Sequence, residues 1–434
     1  MAPKQQHGRQ YDVVVFGASG YTGKYTAEHI ATHLPTDLKW AVAGRSHSKL
    51  EQVVAHCRSL NADRPPPAIE VCDIDDGQLD ALARKTFVLI TTVGPYGQLG
   101  EHAFRACAEN GTHYLDVTGE VPFVARMLAK YENAAKASGA MMFPQIGIES
   151  APPDLLTWSL AALVRSDPAF ESARGAVRDV TVSVHTFKSA PSGGTLTTAL
   201  NLLENFSISE VRAGQKPYAL SPIPHPSPSS APTPSLLTRV TGLITVPTLG
   251  LLTSSIAAGT DRALVHRTWG LLETIPSRRG QAYGPRFSFR EYLRPRGWYQ
   301  GIGLHLGLIL FSVVLAVPFL RRLIAGYVYG PGEGPDAEVA KLDKLEYRGV
   351  AHADSPADAG GDGKGQPVAF GRVWFNGSFY HLTGIFLAEA AATLLEDNVQ
   401  LGGGGIFTPA CLGQPYIDRL DRAGFHSETK VLSE

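Results

Sequence analysis

Four cysteines in 434 residues, with no CxxC pair and no histidine at metal-ligand spacing beside any of them, leave no disulfide framework and no zinc site to expect. Cys57, Cys72, Cys107 and Cys411 read as reduced thiols of an intracellular protein, and no metal is expected. Net charge is equally scarce. The formal value is −1, and no basic run offers a path for a phosphate backbone, so nucleic acid is not an expected partner. The opening residues, MAPKQQHGRQ, are polar and lead straight into a strand-like segment, which is not the pattern of a secretory signal. HExxH, GxSxG and paired-carboxylate motifs are missing too, which speaks against metal-dependent or serine hydrolysis.

What is present is an ordinary globular balance, 44% hydrophobic and 18% charged, with length for two or three domains. Residues 11–16, YDVVVF, read as a buried strand. A tight loop follows at once: Gly17, Ala18, Ser19, Gly20, Tyr21, Thr22, Gly23. KYTAEHIATHL then shows helical spacing, with Tyr25, Ile30 and Leu34 inward. Strand, glycine loop and helix are the context of a dinucleotide-binding fingerprint. Gly17 lets the chain turn off the strand, Gly20 lets the backbone approach a diphosphate, and Gly23 lets the helix pack closely. The diphosphate would rest at the helix N-terminus, where free N–H groups and the dipole favour negative charge. The spacing is GxxGxxG, with Ser19 and Thr22 as additional hydroxyl donors.

A second strand within 38–46 ends about 20 residues beyond the last glycine, where an NAD site places Asp or Glu on the ribose 2′-hydroxyl. Arg45 and Ser46 stand there instead. A guanidinium is permanently charged and bonds two oxygens at once, so it suits a 2′-phosphate, and NADP(H) is the expected cofactor. A third strand, 68–74, places Asp73 either near the adenine amine or in solvent. A fourth, 87–93, runs into Gly94, Pro95 and Tyr96 at the ligand-binding end of an open α/β sheet. A helix at 101–110, a strand at 113–117, Thr118-Gly119-Glu120, a helix at 122–138 and a strand at 141–147 complete the unit.

The segments GASGYTG, AGRS, VGPYGQLGE, ACAENGTHYLDVTGE, SGGTLTTALN and GGIFTPACLGQPYIDRLDRAGF together resemble the saccharopine dehydrogenase-like oxidoreductases. The nearest branch in pattern holds trans-acting enoyl reductases and saccharopine dehydrogenase-like proteins of eukaryotic lipid droplets. The resemblance covers nearly the whole chain. It implies a Rossmann domain, a second α/β domain inserted before the C-terminus, and NAD(P) binding, and it carries over to Gly17, Gly20, Gly23 and Arg45. Some members act on polyketide or fatty acyl chains held on a carrier and others make saccharopine, so the resemblance supplies no single reaction and no catalytic motif. Saccharopine reductases carry a different glycine loop, which argues against that activity here.

The expected fold is α/β: an N-terminal Rossmann-type parallel sheet (1–150), a second α+β domain on a mostly antiparallel sheet (151–400), and a C-terminal segment (401–434) returning to the first domain. In the second domain, 151–165 reads as a helix opened by Pro152, Pro153 and Asp154. DVTVSVHTFK (179–188) alternates like an antiparallel strand with one covered face. Ser192-Gly193-Gly194-Thr195 opens a helix, either as a substrate contact or as a plain N-cap. Residues 217–235, with seven prolines, and 351–366 read as mobile inserts, the latter joining two strands. The helix FYHLTGIFLAEAAATLLED turns Leu382, Ile385, Phe386, Ala390 and Leu394 to a core.

Residues 301–320 carry no formal charge and are flanked by Arg294, Arg296, Arg321 and Arg322. Their 20 residues match the length of a bilayer core. Three readings compete: a membrane-embedded or surface-anchoring segment, a buried helix or apolar wall of the substrate site, and a single span. The uncharged stretch 243–259, rich in Thr and Ser, reads as buried in protein.

A reductase needs positioning and a proton source, because the cofactor carries the hydride. Tyr96 is the first candidate donor and Glu120 a candidate acid, with Glu149 an equal second; Thr118 and Ser192 are weaker. The function expected is NADPH-dependent reduction of a hydrophobic acyl or polyketide substrate, as a small molecule or on a carrier. The alternatives are a saccharopine-type imine or amino-acid reductase, and a non-catalytic NADP-bound protein. A membrane or lipid-droplet surface and a homodimer are the other expected partners.

Overall fold

A computed structural model describes residues 4–189, 202–225, 235–317, 319–320, 337–355 and 366–433. Ser192-Gly193-Gly194-Thr195, residues 226–234 of the proline-rich stretch and residues 356–365 of the second insert lie outside the described residues.

The strands divide between two seven-stranded sheets. The first is built from β1 (Tyr11–Phe16), α1 (Tyr21–His33), β2 (Trp40–Gly44), α2 (His47–Leu60), β3 (Ala68–Val71), α3 (Asp76–Lys85), β4 (Thr86–Thr91), α4 (Tyr96–Asn110), β5 (His113–Leu115), α5 (Val121–Ser138) and β6 (Met141–Phe143). A late strand, Gly405–Ile406, pairs with β6 and completes it. The six consecutive strands lie in the order β6-β5-β4-β1-β2-β3, and all pairs are parallel. β1 and β4 are buried on both faces, which is why each is an almost unbroken apolar run. The order reverses between β1 and β4, so a crevice opens beyond their carboxyl ends. This is the Rossmann-type sheet expected from sequence.

Local boundaries differ for one identifiable reason. β5 and β6 stop at Leu115 and Phe143, short of the expected 117 and 147. The buried Asp116 carboxylate accepts the N–H groups of Thr118 and Gln145, both at 2.9 Å, and so takes two amides out of any ladder. α4 begins at Tyr96 rather than at 101, directly after Pro95. β3 ends at Val71, leaving Asp73 on a loop.

The second sheet follows α6 (Ala151–Ser166). It comprises β7 (Val177–Lys188), α7 (Ile208–Gly214), α8 (Leu236–Thr241), β8 (Ile244–Val246), β9 (Gly250–Ser254), α9 (Ala258–Thr274), β10 (Ser288–Leu293), α10 (Trp298–Ala316), α11 (Ala337–Ala340), β11 (Lys344–Ala353) and β12 (Pro367–Asn376). After α12 (Phe379–Glu396) and the short β13 (Gly405–Ile406) come α13 (Gln414–Arg422) and β14 (His426–Ser433), which pairs with β12. The order is β14-β12-β11-β7-β10-β9-β8. It is mostly antiparallel, as expected, with one parallel pair, β7 with β10. β7 is therefore a central strand between two partners. Leu156 and Leu160 of α6 fill the space that Gly349 and Gly371 leave open, where a Cβ would come within 2.9 Å of their methyl groups.

α12 packs on α1 of the first sheet. Gly384 permits that approach, since a Cβ there would stand 2.8 Å from the Thr26 nitrogen. Buried Glu389 meets His29 across the same interface at 2.8 Å. The C-terminal third thus ties the two sheets together.

α10 covers most of the uncharged 301–320 segment and is held to protein along one side only, where Gly301 and His305 meet Thr253 and Ser254. Trp298, Tyr299, Leu306, Ile309, Leu310 and Val313 are exposed. The buried-helix reading therefore does not hold. β10, before this segment, and β11, after it, both pair with β7. Both ends of the segment leave from and return to one sheet, which excludes a single span with its flanks on opposite sides. Residues 243–259 meet the expectation in part: they run through the β8–β9 hairpin at the sheet edge, where Leu249, Leu252 and Thr253 are buried and Ile256 is exposed.

Candidate active site

The crevice at the switch point is floored by the glycine loop. Gly17 has φ +86°, and a Cβ there would meet Thr92 Oγ1 and Val93 Cγ2 at 2.8 Å. At Gly23 a Cβ would lie 2.3 Å from the Gly17 carbonyl oxygen. The loop is thus a cradle that side chains would fill. Gly20 is the N-cap of α1 and offers no side-chain bond, and the Thr22 and Gly23 amides have no acceptor among the described residues. Free amides, a positive dipole end and a bare backbone are what a diphosphate requires. Ser19 and Tyr21 flank the turn, and Tyr21 rests edge-on against Tyr380 of α12, with ring centroids 4.5 Å apart.

Arg45 follows β2 on the same side of the sheet. It is exposed and makes no hydrogen bond or ion pair among the described residues, so its charge is available to a 2′-phosphate. Ser46 caps α2 by accepting the Lys49 N–H at 3.4 Å. Asp73 is exposed and accepts the N–H of Ile74 at 2.8 Å. With the 2′-phosphate end placed at β2, the reactive end of a dinucleotide falls toward β4, β5 and β6. Gly94 and Pro95 lead from β4 into α4 at that end.

The two catalytic candidates from sequence both stand there, but with other tasks. Tyr96 is buried. Its hydroxyl donates to the Thr91 carbonyl (3.0 Å) and accepts the Val117 N–H (3.3 Å), so it is turned inward. It packs the loop in place of the substrate donor expected. The Glu120 carboxylate accepts the N–H groups of Tyr96 (3.0 Å) and Gly97 (2.8 Å) and so caps the start of α4 from across the crevice. Burial raises its pKa and those two bonds lower it again. Thr118 Oγ1 accepts the Glu120 N–H at 3.1 Å. Asp116, pushed up to about 6 by burial, braces the loops after β5 and β6 and also accepts the Tyr114 hydroxyl at 2.8 Å.

Glu149 differs from these. Its carboxyl makes no hydrogen bond among the described residues and is reached by solvent, yet protein surrounds it and raises its pKa. It lies against Gly119, where a Cβ would come 3.3 Å from Oε2. It therefore lines the cleft between the two sheets. Sequence reasoning missed its neighbours from the second sheet: Asp261 of α9, Glu291 of β10 and Tyr347 of β11, which act on one another electrostatically. The one available signal was the alternation in SFREYL, which puts Glu291 on the same inward face as Phe289. Among the described residues no cluster could hold a metal.

Comparison with known proteins agrees with this geometry. Residues 13–143 match the saccharopine dehydrogenase NADP binding domain family. The chain is 30% identical over 441 residues to a Mycobacterium tuberculosis protein named as a candidate trans-acting enoyl reductase, covering 98% of this chain and 99% of that one. It is 27% identical over 446 residues to the trans-acting enoyl reductase of Mycobacterium bovis, with coverage of 98% and 99%. It is 28% identical over 455 residues to a saccharopine dehydrogenase-like oxidoreductase of Homo sapiens, covering 98% of each. Among solved structures, apo saccharopine dehydrogenase (L-Glu forming) from Saccharomyces cerevisiae shares the fold, with a TM-score of 0.52 at 13% identity over 97% of this chain and 99% of that one.

Proposed function

The chain belongs to the saccharopine dehydrogenase-like oxidoreductases and is an NADP(H)-dependent oxidoreductase, and on that premise we propose that it reduces the carbon–carbon double bond of a hydrophobic acyl substrate. The observation that carries this reading is the extent of the likeness. The nucleotide-binding family accounts for 13–143 alone, whereas the resemblance to enoyl reductases runs through the second sheet that forms the other wall of the cleft. NADPH, when bound, supplies the hydride. Gly17, Gly20 and Gly23 would hold its diphosphate, with Ser19, Tyr21 and Thr22 around it; Arg45 and Ser46 would take the 2′-phosphate, and Gly94 and Pro95 would border the nicotinamide. The protein's remaining work is to orient the acceptor, keep bulk water out and provide a proton.

The substrate arrives from an apolar phase or on a carrier. α10 supports that reading. Its 19 residues would extend roughly 28 Å at 1.5 Å per residue. A helix this apolar, packed on protein along one side only through Gly301 and His305, needs hydrocarbon against the rest of its surface. Trp298 and Tyr299, 65% and 69% exposed, stand at its N-terminal end beside Arg294 and Arg296, the residue types that settle at a headgroup layer. The protein docks on one leaflet, of a membrane or a lipid droplet, without crossing it.

The test is NADPH oxidation by the full-length protein against a panel of 2-enoyl thioesters of increasing chain length, with an imine of an amino acid beside them. Turnover that rises with chain length is expected. Turnover of the imine alone would overturn the acyl assignment.

A further inference from the structure

Resting on the docking reading above, we infer that α8 and α10 form one two-helix foot and that the foot selects a leaflet rich in anionic phospholipid, with Arg239, Arg294 and Arg296 gripping the headgroup phosphates.

α8 is fixed to α10 through His305. The Nε2–H of His305 donates to the Arg239 carbonyl oxygen at 3.3 Å, and its Nδ1 meets the Ser254 hydroxyl at 2.8 Å. One ring thus joins α8, β9 and α10. The backbone is shaped around that ring. Gly242 ends α8 with φ +71°, and a Cβ there would overlap the His305 side chain. One turn earlier on α10, a Cβ on Gly301 would stand 2.5 Å from Leu243 Cδ2, and the Gly301 carbonyl accepts the Thr253 hydroxyl at 2.8 Å. α8 is therefore carried on the same side of the sheet edge as α10.

α8 presents the same kind of surface. Leu236 and Val240 stand one turn apart on one face, with Leu237 beside them. Leu236 and Leu237 are 77% and 73% exposed, more than any large apolar side chain of α10. An apolar patch shared by two joined helices marks a contact with lipid or with protein.

Charge decides between them. Arg239, Arg294 and Arg296 are exposed, and none forms an ion pair with a carboxylate among the described residues. Arg294 donates to the His185 ring, which brings no negative charge. The stretches 235–260 and 292–316 hold these three arginines and no Asp or Glu, in a chain whose 39 basic and 40 acidic residues balance. A second copy of this face would set arginine against arginine, a repulsive pairing. An uncharged or zwitterionic surface would cover the leucines and leave the guanidiniums without counter-charge. Anionic headgroups supply phosphate oxygens for two-pronged bonds and a negative surface potential as well.

The arginines also stand at one end of α10. Arg294 and Arg296 precede it, and the Arg239 carbonyl is held at His305, about two turns in. From Leu306 to Ala316 the helix runs on for roughly 16 Å at 1.5 Å per residue. That is about half of a hydrocarbon core of about 30 Å. Headgroup contacts around the first two turns, with apolar insertion beyond them, match the depth of one leaflet.

The test is co-flotation of the full-length protein with two kinds of vesicle, phosphatidylcholine alone and phosphatidylcholine mixed equally with phosphatidylglycerol. Partition into the anionic vesicles should be roughly 100-fold stronger, at about fivefold for each arginine. High salt should remove most of the difference. Arg239→Gln, Arg294→Gln and Arg296→Gln together should lower anionic partition to the zwitterionic value without changing thermal unfolding. Leu236→Ser with Leu237→Ser should weaken binding to both vesicles by at least tenfold. Equal partition of the parent into the two vesicles, a comparison that needs no variant, would overturn the anionic selection and leave docking standing. Anionic preference retained in the triple glutamine variant would overturn the arginine grip. Parent-like partition of the double serine variant would overturn the two-helix foot. Flotation with neither vesicle, together with a dimer in light scattering that the serine variant dissolves, would give the face to a second copy and overturn docking itself.

Discussion

A side-chain carbon on Gly23 would stand 2.3 Å from the carbonyl oxygen of Gly17, a backbone atom that cannot swing aside. The start of α1 and the end of β1 are therefore held at a separation only glycine allows, and the free amides of the first turn point where that separation puts them. Gly23→Ala should cost about 1–3 kcal/mol by overpacking. It should also weaken NADPH binding by at least tenfold (about 1.4 kcal/mol). Fluorescence titration and thermal unfolding read the two effects. Gly20→Ala, whose Cβ would meet only the Gly17 oxygen at 3.2 Å within the protein, should be the milder change in stability. Unchanged affinity in Gly23→Ala would mean the diphosphate rests elsewhere.

Arg45 makes no hydrogen bond or ion pair among the described residues, so its substitution should be felt chiefly through ligand. Arg45→Asp removes charge-assisted bonds to the 2′-phosphate, each on the order of 1.5–3 kcal/mol, and adds a carboxylate suited to a 2′-hydroxyl. The ratio of kcat/KM for NADPH over NADH should fall by roughly 10- to 100-fold. Thermal stability without cofactor should not move. An unchanged ratio would reject the 2′-phosphate role.

Glu120 offers a decision between an acid and a cap. It holds the N–H groups of Tyr96 and Gly97. Glu120→Gln keeps one acceptor oxygen and the shape, so stability should fall by about 1 kcal/mol while kcat stays within a few-fold of the parent. Glu120→Ala, which strands both amides, should lose more stability. A collapse of kcat in Glu120→Gln with unaltered melting would restore the proton-transfer role that its position suggests.

The parts of the site that could be read from sequence are those set by contiguous residues. GxxGxxG after a buried strand, and Arg45 at the end of the next one, are local patterns with local physics, and β1, α1 and β2 stand where those patterns put them. Tyr96 and Glu120 were found at the right end of the sheet for the same reason. Their orientation was not legible, because it depends on Thr91, Val117 and Gly97 meeting them in space. Asp261, Glu291 and Tyr347 lie 30 and 56 residues apart along the chain and come together only through the β7–β10 and β7–β11 pairings. No spacing rule spans that distance. The C-terminal strands are similar: β13 is two residues long and joins the first sheet only because β6 presents a free edge.

The burial of Asp261 and Glu291 carries a stability signature. Asp261 and Glu291 have folded pKa values above those of the unfolded chain, near 4 for free carboxyls. Between the unfolded and folded values the native state holds more protons than the unfolded one. Stability is therefore fully present below that window and falls as pH rises through it. Asp261→Asn cannot ionise and should flatten the fall. Melting temperature across a pH series should show the variant equal to or above the parent on the alkaline side, with the gap closing in mild acid. Parallel curves would mean the pair does not titrate between the two states.

α10 makes the last prediction the most direct. Leu310 is 65% exposed and Val313 faces solvent near it, in a helix with no charged residue between Trp298 and Ala316. A charge near the middle of a membrane-embedded helix costs about 2.5–3.5 kcal/mol on the insertion scale. Leu310→Glu or Val313→Glu should thus reduce co-flotation with phospholipid vesicles by roughly 50-fold or more, while activity on a short, soluble enoyl thioester stays at the parent level. Because β10 and β11 flank the segment and share β7, single cysteines introduced at Gly297 and at Leu342 should both react with an impermeant thiol reagent added outside the vesicles. Protection of one and not the other would require the chain to cross the bilayer, and the second sheet could not then form as it stands. Full solubility of the parent without lipid, together with no flotation, would leave α10 without the hydrocarbon its surface calls for and would reject docking.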